Sequence, residues 1–345
     1  MSEKVLITGG RGYIGLPLCL EMQGGDKEWL SVDTGDREAW VRSVGGKSLT
    51  QPNMSIQNEK NFKQLNVADY ASTLKFLRSF RPDVIVHLAS QPSAPFSEKT
   101  IQHRIATQNC NISMMQNLLY GSKEAGLNPR FVVTTTTGIP GAPDQPIIEG
   151  PMPNMAGSSY HVSRGFDSSN MSLAARQWGF RCLELRTSIV FGTRACDSAG
   201  PVTRFDWDFY FGTALNRFCL RSKLGESITV YGKGEQKKPF ISLEDCVESL
   251  FQAVSWPTEG HEIMNQTTLC VSIKELAEAV GGEIVHIPNP RVEKEEHQMV
   301  IHNEKFLKLL EYPSRNTFTG EVESIKKDIN VLRLPKDWRR VFDGK

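Results

Sequence analysis

The sequence contains few cysteines, and none of them has the spacing that a metal site or a disulfide framework requires. There are 7 in 345 residues, an odd number, widely scattered and never in a Cys-x-x-Cys pair. Scattered cysteines of this kind are typical of reduced thiols, whereas small secreted proteins carry theirs in dense, even sets. We therefore expect a cytoplasmic protein without structural disulfides or zinc.

Long apolar runs and an excess of charge of either sign are also missing. No stretch reaches the roughly 18 apolar residues of a membrane span. The N-terminal sequence MSEKVLITGGRGYIG has neither the apolar core nor the cleavage site expected of a signal peptide. The formal net charge is +1, with no block of like charge. These absences give no reason to expect nucleic acid or an anionic membrane as the main partner.

What is present in the first half of the chain is an alternation of short apolar segments with longer amphipathic ones. Six segments rich in Val, Ile and Thr predict strands, at 4–9, 29–33, 62–67, 83–89, 130–136 and 181–192. Helical spacing lies between them, at 13–23, 69–80 and about 98–126. Nearly continuous apolar strands that alternate with helices indicate an α/β fold, a doubly wound parallel sheet covered on both faces.

The second half is less regular and predicts a smaller C-terminal domain. A loop-rich section precedes a strand and helix at 239–254 and another helix at 271–280. We expect the chain to cross between the domains more than once. The predicted segments are 1–192 with 239–262 for a dinucleotide-binding domain, and 193–238 with 263–345 for a substrate-binding domain.

A glycine-rich turn follows the first predicted strand. The sequence ITGGRGYIG places Gly9, Gly12 and Gly15 between that strand and the start of a helix. Glycines at these positions let a pyrophosphate approach the backbone N–H groups at the helix N-terminus. Asp33 closes the second strand, where a carboxylate accepts both ribose hydroxyls and repels a 2′-phosphate. The pattern predicts a Rossmann-type domain that binds NAD rather than NADP.

Further along the chain, Tyr160 and Arg164 lie four residues apart on a predicted helix, after the threonine-rich end of the fifth strand. Together with the glycine spacing and the sequence HLAS after the fourth strand, this arrangement resembles the extended short-chain dehydrogenase/reductase family. The resemblance implies that Thr136 and Tyr160 bracket a sugar hydroxyl and that Tyr160, as phenolate, removes its proton. It implies a cofactor site made of Gly9, Gly12, Tyr13, Ile14, Gly15, Asp33, Asn66, Val67, Leu88, Ala89, Tyr160 and Arg164.

Four motifs narrow the resemblance to the UDP-sulfoquinovose synthases: SAPFS, FGTALNRFC, TVYGKGEQ and PNPRVEKEEH. In that group the enzyme oxidises C4 of UDP-glucose, eliminates water across C5 and C6, adds sulfite at C6 and returns the hydride. The resemblance therefore implies a UDP-hexose and sulfite as substrates, a 4-keto intermediate, and a catalytic role for His161 near C6. It implies substrate contacts from Gln91, Thr136, Asn216, Val230, Lys238 and Arg291.

The sequence departs from this group at four positions of the site. Ile139 replaces an acidic residue, Pro92 and Lys238 each replace an arginine, and Arg164 replaces the lysine of the Tyr-x-x-x-Lys pair. A dehydration needs a general base at C5 and an acid at the leaving hydroxyl. His161 and His103 are the only candidates for these roles that we identify in the sequence.

These departures leave other functions open. One is a UDP-hexose 4-epimerase or a related conversion, in which the 4-keto sugar never loses water. Another is a degenerate fold that binds a dinucleotide or nucleotide sugar as a sensor or scaffold. By analogy with the family we also expect a homodimer that pairs through the helices holding Asn111 and Tyr160.

Arg164 itself is predicted to be a working replacement for lysine. Its permanent charge is expected to lower the pKa of Tyr160, and its planar fork can span the two hydroxyls of the nicotinamide ribose. Arginine cannot release a proton in a relay, so the surrounding pocket must differ from that of a lysine enzyme.

Overall fold

The computed structural model describes residues 2–43, 59–195, 198, 200–288, 299–311, 313, 317–331, 334 and 338–343. No helix within these ranges has the length and apolar composition needed to cross a bilayer. The six cysteines described are all free thiols.

A seven-stranded sheet, parallel throughout, forms the centre of the molecule. Its strands are β1 (Lys4–Thr8), β2 (Glu28–Asp33), β3 (Phe62–Gln64), β4 (Val84–His87), β5 (Arg130–Thr134), β6 (Arg181–Thr187) and β10 (His261–Gln266), in the order β10-β6-β5-β4-β1-β2-β3. All six strands predicted from the first half are present. The sixth is shorter than predicted, because the chain leaves the sheet after Thr187 and continues as β7 (Ile189–Phe191).

Helices cover both faces of this sheet, as the apolar strands predicted. The helices of the described residues, those of the second domain included, are α1 (Gly15–Met22), α2 (Asp36–Ser43), α3 (Tyr70–Phe80), α4 (Ala94–Ser97), α5 (Ile101–Glu124), α6 (Ser159–Trp178), α7 (Ala214–Lys223), α8 (Leu243–Ala253), α9 (Ile273–Val280), α10 (Glu304–Leu309), α11 (Phe318–Asp328) and α12 (Trp338–Asp343). On β1, Val5 and Ile7 face one core while Leu6 faces the other. The two-residue period of a strand thus distributes one apolar run between two cores.

The second domain has its own smaller core. A three-stranded sheet joins β7, β9 (Lys237–Ser242) and β11 (Leu269–Ser272), and a two-stranded sheet joins β8 (Ile228–Tyr231) and β12 (Ile284–Ile287). Leu215, Leu276 and Val322, from α7, α9 and α11, are buried together against these strands.

The predicted division between the domains stays a prediction, and two elements lie across it. The boundary at 262/263 falls inside β10, which pairs with β6 along its whole length. Phe306 and Leu309 of α10, assigned above to the second domain, pack in the same core as Ile7 of β1. A short helix with one apolar face gave no signal of which core it would cover.

Candidate active site

The glycine turn is packed so closely that side chains do not fit. A Cβ at Gly9 would lie 2.7 Å from the backbone nitrogen of Ala89, and a Cβ at Gly15 would lie 2.1 Å from the carbonyl oxygen of Gly9. Gly9 also has φ +78°, a conformation that side chains disfavour. The turn therefore lies against the ends of β1 and β4, with the N-terminus of α1 behind it.

Asp33 is held in place by backbone groups. Its Oδ2 accepts a hydrogen bond from the Arg11 N–H at 3.0 Å, and its Oδ1 accepts one from the Gly35 N–H at 2.8 Å. The carboxylate remains partly exposed at the end of β2. A fixed carboxylate beside a glycine-rich turn fits the adenosine ribose and pyrophosphate of a dinucleotide.

The other predicted cofactor residues lie at the same edge of the sheet. Leu88 and Ala89 follow β4, and their N–H groups bond to the carbonyl and hydroxyl of Thr8, at 3.1 Å and 3.3 Å. After β3, Asn66 accepts a hydrogen bond from the Ala68 N–H, and Val67 is buried. The carboxyl edge of a doubly wound sheet is where such folds bind their ligands.

Tyr13 joins the glycine turn to the second domain. Its hydroxyl donates to the Gly192 carbonyl at 2.5 Å and accepts from Asn216 Nδ2 at 3.0 Å, while Asn216 Oδ1 accepts from the Gly192 N–H. Burial raises the pKa of this phenol, so it acts as a neutral connector. Tyr13 was predicted as a cofactor residue and Asn216 as a substrate residue. In the structure their side chains are hydrogen-bonded to each other.

Tyr160 lies at the start of α6, whose first turn is capped twice. Ser158 caps it from within the chain, accepting from the His161 N–H. Glu98 Oε1 accepts from the Ser159 N–H at 2.7 Å, and Ser97 Oγ accepts from the Tyr160 N–H at 3.3 Å. The motif SAPFS, noted above only as a resemblance, thus ends at a residue that positions the backbone of Tyr160.

His161 lies against the turn that follows β5. A Cβ at Gly138 would lie 2.6 Å from His161 Cδ2, so glycine is required there to admit the imidazole. Ser158 Oγ is 2.8 Å from His161 Nδ1, and Thr136 Oγ1 accepts from the Gly138 N–H at 3.1 Å. The structure thereby brings His161 and Thr136 to one turn, as predicted catalytic residues require.

The neighbouring residue Ile139 occupies the position of the missing acid and is 1% exposed. Its N–H bonds to the Thr136 carbonyl, and its own carbonyl accepts from the Met155 N–H. The other candidate histidine, His103, lies at the start of α5 with Nδ1 2.7 Å from Thr100 Oγ1 and its ring edge-on to Phe96.

Arg164 is 1% exposed. Its Nη1 lies 2.7 Å from Asp167 Oδ2, and its Nη2 donates to the Thr134 carbonyl. Burial raises the pKa of Tyr160; the Arg164 charge lowers it and the Asp167 charge raises it, and the net direction is upward. The expected contribution of Arg164 is present, but the expectation that it would bring the Tyr160 pKa below its ordinary value is wrong for the protein without ligands, because burial outweighs it.

The predicted substrate residues are less uniformly placed. Gln91 uses its side-chain amide within its own turn, bonding to the Ser93 backbone and to Thr107 Oγ1. Val230 was expected at the sugar, yet it is 0% exposed in the core of the second domain. Lys238 is partly buried on β9. Arg291 lies outside the described residues.

Comparisons with known proteins agree with this architecture. The family model described as "NAD dependent epimerase/dehydratase family" matches residues 5–265. The chain is 32% identical to the chloroplastic UDP-sulfoquinovose synthase of Spinacia oleracea, over 90% of this chain and 71% of that protein. It is 29% identical to the UDP-sulfoquinovose synthase of Sulfolobus acidocaldarius, over 85% of this chain and 84% of that protein.

A solved structure has the same fold. The UDP-glucose 4-epimerase of Thermotoga maritima, crystallised with UDP-glucose, superposes with a TM-score of 0.76 at 18% identity, covering 95% of this chain and 98% of that one.

Proposed function

This chain belongs to the NAD-dependent epimerase/dehydratase family, and on that premise we propose that it converts a UDP-hexose through a 4-keto intermediate, with UDP-glucose and sulfite as substrates. The observation that carries this proposal is the arrangement of Tyr160 on α6 beside the buried cation Arg164, with Thr136 and His161 meeting at the turn after β5. Relatives named as UDP-sulfoquinovose synthases, similar over most of the chain, support the substrate class.

NAD, when bound, would supply the acceptor for the hydride from C4. Gly9, Gly12 and Gly15 would leave its pyrophosphate room at the start of α1, and Asp33 would accept the adenosine ribose hydroxyls. Tyr160 receives the proton of the sugar O4 hydroxyl, which Thr136 orients. Because burial holds the Tyr160 pKa high, the phenolate depends on positive charge, part of which Arg164 supplies.

Steps beyond C4 oxidation need a group near C5 and C6, and His161 is the residue we assign to them. Its Nδ1 contact with Ser158 Oγ orients the ring, while the Cδ2 and Nε2 edge faces Gly138. A neutral imidazole in this setting can accept one proton and return it to a leaving hydroxyl.

The test uses the purified chain with NAD and UDP-glucose, with and without sulfite, and identifies the products by mass. A sulfonated sugar nucleotide supports the proposal. UDP-galactose, or a product that ignores sulfite, rules out sulfonation, and no turnover at all leaves the binding-only alternative. Tyr160→Phe is the matched control for background reactions, since it removes only the phenol oxygen.

A 4-epimerase is the second candidate, favoured by Ile139. A fully buried isoleucine stands where elimination would use an acid. Solvent deuterium separates the two reactions, because elimination exchanges the C5 hydrogen and epimerisation at C4 leaves it in place. Deuterium at C5 of recovered substrate or product argues against the epimerase.

We also propose that two copies of the chain pair through α5 and α6. Ile101 and Ile105 on α5 are 70% and 55% exposed, and Phe166 on α6 is 46% exposed, although these two helices pack against each other. Large apolar side chains grouped on one face mark contact surfaces. Light scattering of the parent and of Ile105→Glu tests this, and a parent that is monomeric at micromolar concentration contradicts it.

The six free thiols among the described residues support a reducing compartment such as the cytoplasm.

A further inference from the structure

The side chain of Arg164 connects the two elements that carry the site. Arg164 lies on α6, one turn after Tyr160, and its Nη2 bonds to the carbonyl of Thr134, the last residue of β5. Thr136 follows two residues later. The guanidinium is therefore a cross-link between the Tyr160 helix and the strand end that holds Thr136.

Asp167 provides the counter-charge for this cross-link. It is 0% exposed, and its Oδ2 is 2.7 Å from Arg164 Nη1. No pattern in the sequence distinguishes Asp167, since an aspartate on a helix is usually solvated. Here one guanidinium nitrogen binds the helix's own carboxylate and the other binds the neighbouring strand.

Among the charged neighbours of Asp167, Arg164 is the one that lowers its pKa and so favours the carboxylate form. Glu184 of β6 raises the pKa of Asp167, but Glu184 already interacts with Thr135, Ser168, Arg186 and His261. On β4, His87 is buried beside Arg164, and burial together with that charge lowers its pKa to about 3, so it is neutral. Burial raises the Asp167 pKa to about 7 although Arg164 lowers it.

We propose that Asp167 is a positioning residue of this active site: it holds the Arg164 guanidinium against the end of β5 and thereby sets the charge that Tyr160 experiences. The proposal rests on the role of Tyr160 in the proposed function. It explains why arginine can stand in place of lysine, because only a fork with separate donors binds Asp167 and the Thr134 carbonyl together. A lysine ammonium is a single point on a shorter stem.

The test is the titration of the Tyr160 phenol in Asp167→Asn, which keeps the shape of the side chain and removes its charge. Tyrosinate absorbance is recorded against pH without substrate or cofactor. The same variant carrying Tyr160→Phe is subtracted, so that the other six of the 7 tyrosines cancel. We expect the Tyr160 curve to move up, because the guanidinium is no longer held where its charge acts on the phenol. A downward movement of roughly one pH unit is the effect of removing a nearby negative charge alone, and it would overturn the positioning role. An unmoved curve overturns the proposal.

The matched control is Asp328→Asn. Asp328 is also a buried partner of an arginine, with 2.6 Å between its Oδ1 and Arg194 Nη2, but it lies on α11 in the second domain. We expect it to lower the melting temperature and to leave the Tyr160 curve in place. A shift equal to that of Asp167→Asn would mean that loss of stability, and not the position of Asp167, moves the curve.

Removing one member of a buried ion pair can prevent folding, because the other charge is left uncompensated. If Asp167→Asn does not fold, Asp167→Glu keeps the negative charge and lengthens the side chain by one methylene, so the carboxylate can no longer hold the guanidinium in the same place. Its Tyr160 curve is expected to move although no charge has been removed. An unmoved curve in Asp167→Glu overturns the proposal as well. Both experiments measure the titration of Tyr160 and not turnover. A failure of the proposed sugar reaction would therefore not be confused with a failure of this proposal.

Discussion

Two regions of the proposed active site are built by different means. At the cofactor end, the part predicted to bind NAD, the glycine turn and the strand ends present mainly backbone groups. At the sugar end, the part proposed to bind the hexose, Ser158 contacts His161, while Asp167 and the Thr134 carbonyl hold the Arg164 side chain. Backbone geometry tolerates little change, whereas a side-chain network can exchange one partner for another.

Tyr160→Phe is expected to have the largest effect, and it separates hydride transfer at the sugar end from NAD binding at the cofactor end. We expect hydride transfer to fall about 10²–10⁴-fold, the usual loss when a general base is removed, while NAD binding stays as in the parent. Rapid-scan absorbance of the reduced cofactor measures the first quantity and calorimetry the second. Tyr120→Phe on α5 is the matched control, since that phenol bonds to Asn170 and has no assigned role. Loss of NAD binding in Tyr160→Phe would show that the ends are not separable.

Gly15→Ala probes the cofactor end. A Cβ that would sit 2.1 Å from the Gly9 carbonyl oxygen forces the turn to shift. Overpacking of this kind costs about 2–3 kcal/mol, so we expect NAD affinity to drop roughly a hundredfold. Gly24→Ala, where the nearest atom is 3.7 Å away, should bind NAD normally. Equal affinity in the two variants would mean that the turn does not contact the cofactor.

Substitutions of Arg164 test whether the sugar end accepts a different side chain at this position. Arg164→Ala leaves Asp167 buried without its cation and should lose about 3 kcal/mol of stability, together with part of its NAD affinity and rate. Arg164→Lys should keep a measurable fraction of the activity, because the charge remains although one of the two bonds is lost. Thermal melts and steady-state rates measure both. An Arg164→Ala variant that turns over like the parent would make Arg164 a structural residue only.

The last comparison concerns the pH dependence of the free energy of unfolding that two buried carboxyls produce. Burial raises the Asp167 pKa to about 7, so its protonated form stabilises the fold at low pH, and this contribution is lost as the pH rises from about 4 to 7. Burial also raises the pKa of Glu184, but the His261 hydrogen bond and the nearby cations lower it to about 2. Its contribution is present above pH 4.5 and is lost as the pH falls towards 2. Urea titrations across pH should show Asp167→Asn removing the first slope alone.

The parallel sheet and the glycine turn at its edge were predictable because their signals are local. Glycine spacing and the aspartate at the end of β2 report backbone requirements that act within one βαβ unit, and the six strands follow from apolar runs. The sugar end depends on contacts between distant segments: Glu98 and Ser97 reach the start of α6 from α4, and Asn216 reaches Tyr13 across 203 positions. Neither contact has a sequence pattern. β10 was missed because HEIMNQ lacks the Val and Ile enrichment of the other strands.

The Tyr13 hydroxyl bonds to Asn216 and to Gly192, so the glycine turn and a predicted substrate residue belong to one hydrogen-bond chain. If a ligand on one side orders this chain, we expect the ligand on the other side to bind more tightly. Binding free energies coupled in this way are reciprocal, so the factor would be the same in both directions. Tyr13 would then be the residue through which the two binding events are linked.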